Sequence, residues 1–293
     1  MKAHPGKRQT GRGRVPRRET AGPADVARER RLHPAGHEGP GHRTQTAPDE
    51  IRLRTRKDDL ILQVLHEDRE SIVIDKPPGW MLAPVDWDRT QRNLMRLLIE
   101  GVQQGDHWAV RRNLRFIRPA HRLDADTSGA LLLARNPVAL RRLNRLFATR
   151  QVRKLYLAMV HGRPHRPEWE CDLPLALTPG SSGRVQVDAR EGRPALTRFR
   201  VLQSGPAMAL LECEPVTGRT HQIRVHLEAA GLPIVGDPLY RRGAPSGEPV
   251  TGGLGLRAAL LEWPGIRGRE SAVAPCGAFV QRHGFQAPNL LGG

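Results

Sequence analysis

Strand-like segments follow one another through the second half of the chain without regular alternation with helices. Residues 154–160, 197–202 and 208–214 have the length and the alternating or β-rich composition of strands. Two short apolar runs, 72–74 and 129–134, are expected to form buried strands. Because a doubly wound parallel sheet requires strands that alternate with helices, this pattern instead predicts an α+β fold with a mixed sheet.

Three helices are expected to accompany these strands. Residues 93–102 place leucines and a valine at helical spacing. Asn136, which a proline follows, has the chemistry of a helix N-terminus, since asparagine caps free amides and proline fits the first turn. Thr220 is expected to cap a helix that continues through Ala230, with Gly231 as a left-handed C-terminal cap.

Composition divides the chain into three parts. Residues 1–52 are rich in Arg, Gly, Pro, His and Thr and have almost no large apolar side chains, so burial cannot offset the entropy lost on ordering. We expect a disordered basic arm there, a folded domain over residues 53–265 and an irregular C-terminal tail over residues 266–293. The length of 293 residues suits one large domain with tails or two modest domains.

The chain is strongly basic, with a formal charge of +17. Residues 1–48 hold 11 Lys and Arg and 4 Asp and Glu, so +10 of this charge lies beyond them. A positive field on the folded part favours a polyanionic partner such as a nucleic acid. A general preference for arginine over lysine is the alternative explanation, so the charge alone favours a nucleic acid only modestly.

The cysteine spacing indicates a reducing compartment, and the hydropathy disfavours a membrane span. The three cysteines lie far apart and form no C-x-x-C pair, which disfavours a disulfide framework and a zinc site. The sequence has no apolar run of the roughly 18 residues that span a membrane and no apolar secretory leader. We therefore expect a cytoplasmic protein without a membrane partner.

A charged loop precedes the second apolar run. It spans residues 121–129, with the sequence H-R-L-D-A-D-T-S-G. Asp124 could act as a nucleophile or a general base, and Arg122 could hold a phosphate or fill space in a duplex. The same residue types form ordinary turns, an equally good interpretation of the loop by itself. A hydrolytic triad of His121, Asp124 and Ser128 is disfavoured, because triads converge from separate elements.

A basic segment at residues 218–226 has the sequence G-R-T-H-Q-I-R-V-H. If it opens a helix, its free amides and basic side chains form an anion site. His221 and Arg224 are three residues apart and share a helical face, so Arg224 could pair with a carboxylate elsewhere. The alternative is a basic, solvated helix face. A metal site of His221 and His226 is disfavoured, because a spacing of five suits one helical face poorly.

The strand at 154–160 places Lys154, Tyr156 and Ala158 on one face. The chain has only two tyrosines, and Tyr156 is one of them. A single strand tyrosine is more often a packed residue than an active-site residue, so position alone does not give Tyr156 a function.

In this order, these segments resemble the RNA pseudouridine synthase family typified by ribosomal large-subunit synthase A. The resemblance covers about residues 61–263. It rests on K-P-P-G at 76–79, H-R-L-D and T-S-G within 121–129, K-x-Y-x-A at 154–158, G-R-P-A-x-T at 192–197, the basic segment at 218–226 and G-x-P-I-x-G-D-x-x-Y at 231–240. Several such motifs in register are highly specific.

The resemblance implies a role for each matching residue. Asp124 matches the essential aspartate, Tyr156 the tyrosine that packs on the target base and is implicated in proton transfer, and Arg224 the partner of the aspartate. Arg122 matches an arginine that can enter the RNA stack. RNA-binding roles are also expected for His121, Lys76, Arg219, His221 and Lys154. The implied fold is a long mixed, mostly antiparallel sheet with flanking helices and a central catalytic cleft over residues 53–265.

The implied reaction is the isomerisation of uridine, in which uracil leaves its ribose, turns and rejoins through carbon 5. No atom is gained or lost and no redox change occurs, so neither a cofactor nor a metal is expected. The target must leave the base stack, at a cost of a few kcal/mol. The expected partner is RNA, with ribosomal RNA as the first expectation and transfer RNA as the second, and the protein is expected to act as a monomer.

The sequence departs from the family near its end, where Arg257 stands in place of a histidine and residues 267–293 match no family segment. Two other hypotheses therefore remain. One is a catalytically silent RNA-binding or ribosome-assembly factor, which does not explain why Asp124, Tyr156 and Arg224 occur together. The other is an unrelated hydrolase, which leaves the segments around Lys154 and Arg219 unexplained.

Overall fold

The computed structural model describes residues 50–55, 59–82, 92–181, 183–245 and 252–290. The predicted basic arm therefore lies outside the described residues, apart from residues 50–52. Those three belong to the first strand, which places the start of the folded domain a few residues before the expected boundary at 53.

The described chain has thirteen strands and five helices. The strands are β1 (Glu50–Arg54), β2 (Asp59–Glu67), β3 (Ser71–Lys76), β4 (Arg118–Pro119), β5 (Ser128–Ala134), β6 (Arg153–His161), β7 (Glu168–Cys171), β8 (Leu175–Leu177), β9 (Val185–Val187), β10 (Thr197–Ser204), β11 (Met208–Pro215), β12 (Leu256–Pro264) and β13 (Arg269–Val273). The helices are α1 (Leu94–Gln104), α2 (His107–Arg111), α3 (Pro137–Ala148), α4 (Gln222–Ala229) and α5 (Gly277–Gln281). None of the described helices has the length and apolar character needed to cross a membrane.

Eleven strands form one sheet in the order β1-β2-β3-β5-β12-β6-β11-β10-β7, with β13 on β12 and β4 on β5. Strands β5 and β12 pair in parallel at the centre, and the other pairings in this sheet are antiparallel between the described strands. Strands β8 and β9 form a separate small sheet. The predicted α+β fold with a mixed, mostly antiparallel sheet is confirmed.

Helices cover both faces of the sheet at β5. Its apolar side chains alternate in direction, so Leu131 and Leu133 lie on one face and Leu132 on the other. Helix α1 packs on the first face through Leu98, and α3 packs on the second through Leu143. A strand buried on both sides explains why this segment reads as a continuous apolar run.

The N-terminal cap predicted for α3 is confirmed, and α1 has a cap of the same kind. Asn136 accepts a hydrogen bond from the amide of Ala139 (2.8 Å), and a proline occupies the first turn of α3. Asn93 caps α1 in the same way through the amide of Arg96 (3.2 Å).

The prediction of an irregular tail over residues 266–293 is wrong. Strand β13 pairs with β12 from Leu260 to Pro264, and α5 follows it. Phe279, Val280 and Phe285 are buried against the sheet face formed by β6, β11 and β12. Both elements are only five residues long, too short to produce a recognisable period among the surrounding glycine and arginine residues.

Gly129 permits the close contact of the two central strands. Its φ is +112°, and a Cβ at this position would lie 2.1 Å from the carbonyl oxygen of Ala258 in β12. No residue with a side chain fits there without moving backbone. The glycine of the T-S-G motif therefore has a packing role, and it positions the loop that precedes β5.

Candidate active site

A cleft of about 610 Å³ opens at the centre of the sheet. Two segments form most of its wall, namely the loop at 120–127 before β5 and the segment at 215–224, which runs from the end of β11 into the first turn of α4. The cleft is also lined by Phe147 and Arg150 from the end of α3, Lys154 and Tyr156 from β6, and Leu256 from β12. The predicted central cleft is thus present, and most of the expected site residues line it.

Lys76 holds the loop that presents Asp124. Its side chain is fully buried, and its Nζ donates hydrogen bonds to the carbonyl oxygens of Pro77 (3.0 Å), Ala125 (2.8 Å) and Thr127 (2.8 Å). The Gly79 amide donates to the same Ala125 carbonyl (2.9 Å). The K-P-P-G turn therefore fastens the Asp124 loop to β3.

The expectation that Lys76 binds RNA is wrong, because a fully buried ammonium group that already contacts three carbonyl oxygens cannot reach a phosphate. Burial lowers the pKa of Lys76 to about 8, and the negative charges of Asp126, Asp124 and Asp75 oppose this shift. The sequence shows the charge of a lysine but not its burial by a distant loop.

His121 is also a structural residue rather than an RNA ligand. Its Nε2 accepts a hydrogen bond from the backbone amide of Leu132 (3.0 Å), and its ring stacks on Phe147 at 4.8 Å. Burial, with a contribution from the charge of Lys154, lowers the pKa of His121 to about 3. A neutral ring that accepts a hydrogen bond from a backbone amide offers no charge to a phosphate, so the expected RNA-binding role is not supported.

Helix α4 begins at Gln222 and not after Thr220, so the predicted Thr220 cap is wrong. His221 occupies the N-cap in the left-handed region (φ 55°), and its side chain makes no capping bond. The Gln222 side-chain amide instead ties the turn together, since its oxygen accepts from the Arg219 amide (3.0 Å) and the Thr217 hydroxyl (2.7 Å). The left-handed Gly231 after the helix is as predicted (φ +73°).

Arg224 connects Asp124 to a buried carboxylate. Its Nε and Nη2 donate to the two oxygens of Asp237 at 2.8 Å each, and its Nη1 donates to Asp124 Oδ2 at 3.3 Å. Both Arg224 and Asp237 have buried side chains, whereas the Asp124 side chain is 24% exposed. The predicted pairing of Arg224 with a distant carboxylate is therefore present, and Asp124 keeps an open side towards the cleft.

Asp237 also accepts hydrogen bonds from the amides of Leu239 (2.8 Å) and Tyr240 (3.0 Å). Desolvation opposes the charge on Arg224, but its ion pairs with Asp237 and Asp124 raise the pKa of Arg224 overall. The guanidinium group of Arg224 is thus fixed by Asp237, and its remaining nitrogen donates a hydrogen bond to Asp124. Asp237 belongs to the family segment at 231–240, but neither the residue pattern nor the composition of that segment indicates that Asp237 binds Arg224.

His221 is the second side chain of the α4 segment near Asp124. Its Nε2 lies 3.8 Å from Asp124 Oδ2, and its Nδ1 lies 2.8 Å from the hydroxyl of Tyr240. That hydroxyl accepts from the Val185 amide (2.9 Å), so its own proton is available to Nδ1 and the Nε2 proton then faces Asp124. Burial lowers the pKa of His221, which favours this neutral form.

Tyr156 extends from β6 into the wall of the cleft, on the side of Asp124. The residue is 9% exposed, and burial together with the negative charge of Asp124 raises the pKa of Tyr156. Its phenol therefore stays protonated at ordinary pH. The apolar ring beside a charged loop is suited to contact with a planar base.

Three of the expected RNA-binding residues line the cleft with basic groups. Arg122 is exposed, Arg219 is half-buried and donates to the Pro194 carbonyl (3.0 Å), and the half-buried Lys154 donates to the Thr217 carbonyl (3.2 Å). Burial lowers the pKa of Lys154 to about 8, with an opposing contribution from Glu214. These groups give the mouth of the cleft a positive rim.

Arg257 has a defined place despite its departure from the family pattern. It is buried, and it donates to Asp75 Oδ2 (2.7 Å) in β3 and to Ser128 Oγ (3.2 Å) in β5. The arginine thus links the three central strands β3, β5 and β12. The sequence alone does not indicate this contact, because Asp75 and Ser128 lie far from Arg257 in the chain.

The geometry argues against the two alternative site chemistries. Ser128 is buried against Arg257 and His121 is bound to a backbone amide, so these residues form no triad with Asp124. Both ring nitrogens of His226 are engaged, with Thr197 (3.0 Å) and the Leu173 carbonyl (2.9 Å). The hydrolase hypothesis therefore has no support in the site.

Comparisons with known proteins identify the family. A family model described as RNA pseudouridylate synthase matches residues 70–229. An uncharacterized RNA pseudouridine synthase of Zymomonas mobilis is 40% identical over 62% of this chain and 79% of that protein. The dual-specificity RNA pseudouridine synthase RluA of Pasteurella multocida is 35% identical over 62% of this chain and 78% of that protein. Ribosomal large subunit pseudouridine synthase D of Nitrosomonas europaea is 36% identical over 69% of this chain, which spans only 56% of that longer relative.

Solved structures give the same result for the fold. Human RNA pseudouridylate synthase domain containing 4 has a TM-score of 0.63 at 26% identity, over 77% of this chain and 94% of that chain. Human RNA pseudouridylate synthase domain containing 1 has a TM-score of 0.57 at 26% identity, over 73% and 83%. The matched sequence, the sheet and the cleft agree, and the chain belongs to the RNA pseudouridylate synthase family, enzymes that isomerise uridine to pseudouridine in RNA.

Proposed function

We propose that Asp124 is the catalytic carboxylate of this enzyme. The observation that supports this most is its position in the cleft, where one oxygen lies 3.3 Å from Arg224 and the side chain remains accessible. The reaction breaks the bond from ribose carbon 1′ to uracil nitrogen 1 and forms a bond from carbon 1′ to carbon 5, while the carbon 5 proton leaves and nitrogen 1 gains one. A carboxylate beside carbon 1′ stabilises or captures the positive charge that develops there, as in glycoside cleavage.

Tyr156 and Arg122 are proposed to hold the uridine outside the base stack. The half of the cleft next to Asp124 contains the Tyr156 ring, on which the extruded uracil can pack. Arg122 is exposed at the start of the same loop and can occupy the space that the base leaves. These contacts offset part of the few kcal/mol that extrusion costs.

Lys154, Arg219 and His221 are proposed to contact the RNA around the target. Lys154 and Arg219 supply positive charge for phosphates, and His221 supplies a neutral Nε2–H donor near Asp124. The protein is proposed to act as a monomer. No metal ion is proposed in the site. The reaction involves no redox change, and Arg224 supplies the positive charge beside Asp124.

Ribosomal RNA is the proposed substrate, with transfer RNA as the second candidate, and the cytoplasm is the proposed location. The support comes from the names of relatives, which include ribosomal large subunit synthases C and D and a dual-specificity synthase. The test incubates the purified protein with unmodified transcripts of large-subunit ribosomal RNA and of transfer RNAs and maps pseudouridine in each. We expect one or a few sites in the ribosomal transcript. Product confined to transfer RNA would reverse the order of substrates, and no product in either RNA would contradict the proposed function.

A further inference from the structure

A second cavity of about 450 Å³ adjoins the candidate active site. Four residues line both cavities, so the two share a wall: Arg150, Lys154, Pro215 and Val216. The second cavity lies between the end of α3, the beginning of β6 and the hairpin of β12 and β13. A strand of a polymer that occupies the active-site cleft can continue directly into it.

Positive charge dominates the second cavity. It is lined by five basic side chains and one carboxylate: Arg150, Arg153, Lys154, Arg198, Arg269 and Glu214. Acidic neighbours compensate two of the arginines, since Arg153 pairs with Glu262 (3.0 Å) and Arg198 with Glu170 (2.8 Å). The charge on the remaining basic groups is available to an anion.

Arg150 and Arg269 are the two exposed arginines of this cavity without an ion pair among the described residues. Arg150 follows α3 in the left-handed region (φ 58°), where its amide bonds to the Phe147 carbonyl (3.1 Å). Glycine is the usual residue at such a helix end, because a side chain there is strained. An arginine at a position that favours glycine indicates a use for its side chain at the junction of the two cavities.

We propose that the RNA strand next to the target uridine leaves the active-site cleft past Arg150 and Lys154, and that its phosphates bind in the second cavity to Arg150 and Arg269. Exposed guanidinium groups bind phosphate through paired, charge-assisted hydrogen bonds. The inference rests on the proposed function, because it takes the cleft to be the site of the uridine. It adds a substrate-binding surface outside the family motifs.

The test compares the double variant Arg150→Gln/Arg269→Gln with the wild type in binding to an unmodified large-subunit ribosomal RNA transcript over a range of salt concentrations. Removal of two phosphate contacts decreases the slope of log affinity against log salt by about 1.4, or about 0.7 for each contact with a single strand. The charge-preserving variant Arg150→Lys/Arg269→Lys should keep the wild-type slope. Arg166→Gln is the matched control, since Arg166 is exposed and lies beyond the opposite end of β6.

A double glutamine variant with the wild-type slope would overturn the proposal. So would an equal decrease of the slope in Arg166→Gln and in either single glutamine variant, because any surface charge would then have the same effect. Thermal unfolding of each variant shows whether it is folded. If the double glutamine variant is not, each single glutamine variant carries the test, with an expected decrease of about 0.7 in the slope. Since the readout is the salt dependence of affinity and not the amount of product, this failure differs from that of the proposed function, in which the wild type forms no pseudouridine.

Discussion

Both carboxylate oxygens of Asp237 accept hydrogen bonds from Arg224, at 2.8 Å each, and the third guanidinium nitrogen of Arg224 donates to Asp124. The two residues are buried and are fixed further by backbone amides of residues 239 and 240. This places a rigid positive charge beside an accessible carboxylate. Preorganised charge of this kind avoids reorganisation during the reaction.

Asp237→Asn should therefore destabilise the protein and slow catalysis. Loss of one partner leaves a buried arginine without full compensation, which costs about 3 kcal/mol in the free energy of unfolding. Urea unfolding measures the first effect, and single-turnover formation of pseudouridine measures the second. Glu170→Gln is the control, because it removes the exposed partner of Arg198 and should change neither quantity. An unfolding midpoint for Asp237→Asn equal to that of the wild type would contradict the role of the pair.

Lys154 should make RNA affinity depend on pH. Burial lowers the pKa of Lys154 to about 8, so the side chain loses its positive charge as pH rises through that value. We expect RNA affinity to fall by about tenfold between pH 7 and pH 9, equivalent to ~1.4 kcal/mol. Lys154→Arg, which keeps its charge over this range, should lose much less. Lys76 also titrates near pH 8 but is present in both proteins, so parallel pH curves would exclude Lys154 as the cause.

Tyr156→Phe separates the hydroxyl of this residue from its ring. If the hydroxyl transfers a proton in the reaction, the variant should react on the order of 100-fold more slowly in single-turnover assays. RNA affinity should be retained, because the ring that packs on the base remains. The pKa of Tyr156 is raised by burial and by Asp124, so its ionisation should produce no step in the rate up to pH 9. A normal rate for the variant would leave only the packing role.

Gly129→Ala should disrupt the junction of β5 and β12. The added methyl group would lie 2.1 Å from the Ala258 carbonyl oxygen, in a backbone conformation that disfavours any side chain. We expect a loss of about 3 kcal/mol in the free energy of unfolding. Gly180→Ala is a matched control, since Gly180 also has a positive φ (+71°) but a methyl group there would have no atom within 4 Å, and this variant should lose about 1 kcal/mol. Equal losses would show that the close approach to Ala258 is unimportant.

The sequence was most informative where residues a few positions apart determine the secondary structure. The apolar run of β5 and the Asn136 cap of α3 depend on neighbours within a few residues, and both were predicted. Family motifs added Asp124 and Arg224, whose side chains meet although 100 positions separate them. No periodicity or composition could have shown that contact.

Predictions from the sequence failed where tertiary packing gives a residue an environment that its type and its neighbours in the chain do not indicate. Lysine and histidine in polar loops are normally exposed, but the side chains of Lys76 and His121 are hydrogen-bonded to backbone groups of the fold. Asp237 stands in the loop that follows α4, and neither its residue type nor its spacing of 13 positions from Arg224 shows that the two side chains pair. In the predicted tail, single apolar residues such as Phe279 are buried by a sheet face that the segment itself does not reveal.

We propose that Asp124 performs the chemistry at a uridine held in this cleft, and Asp124→Asn removes the carboxylate on which this proposal depends. The substitution keeps the shape of the side chain but removes its negative charge. Wild type and variant are compared at RNA concentrations that saturate both, with pseudouridine formation and RNA affinity measured on the same transcript. We expect the variant to bind this RNA but to form no detectable pseudouridine. Product formation by the bound variant at the wild-type rate would contradict the proposal.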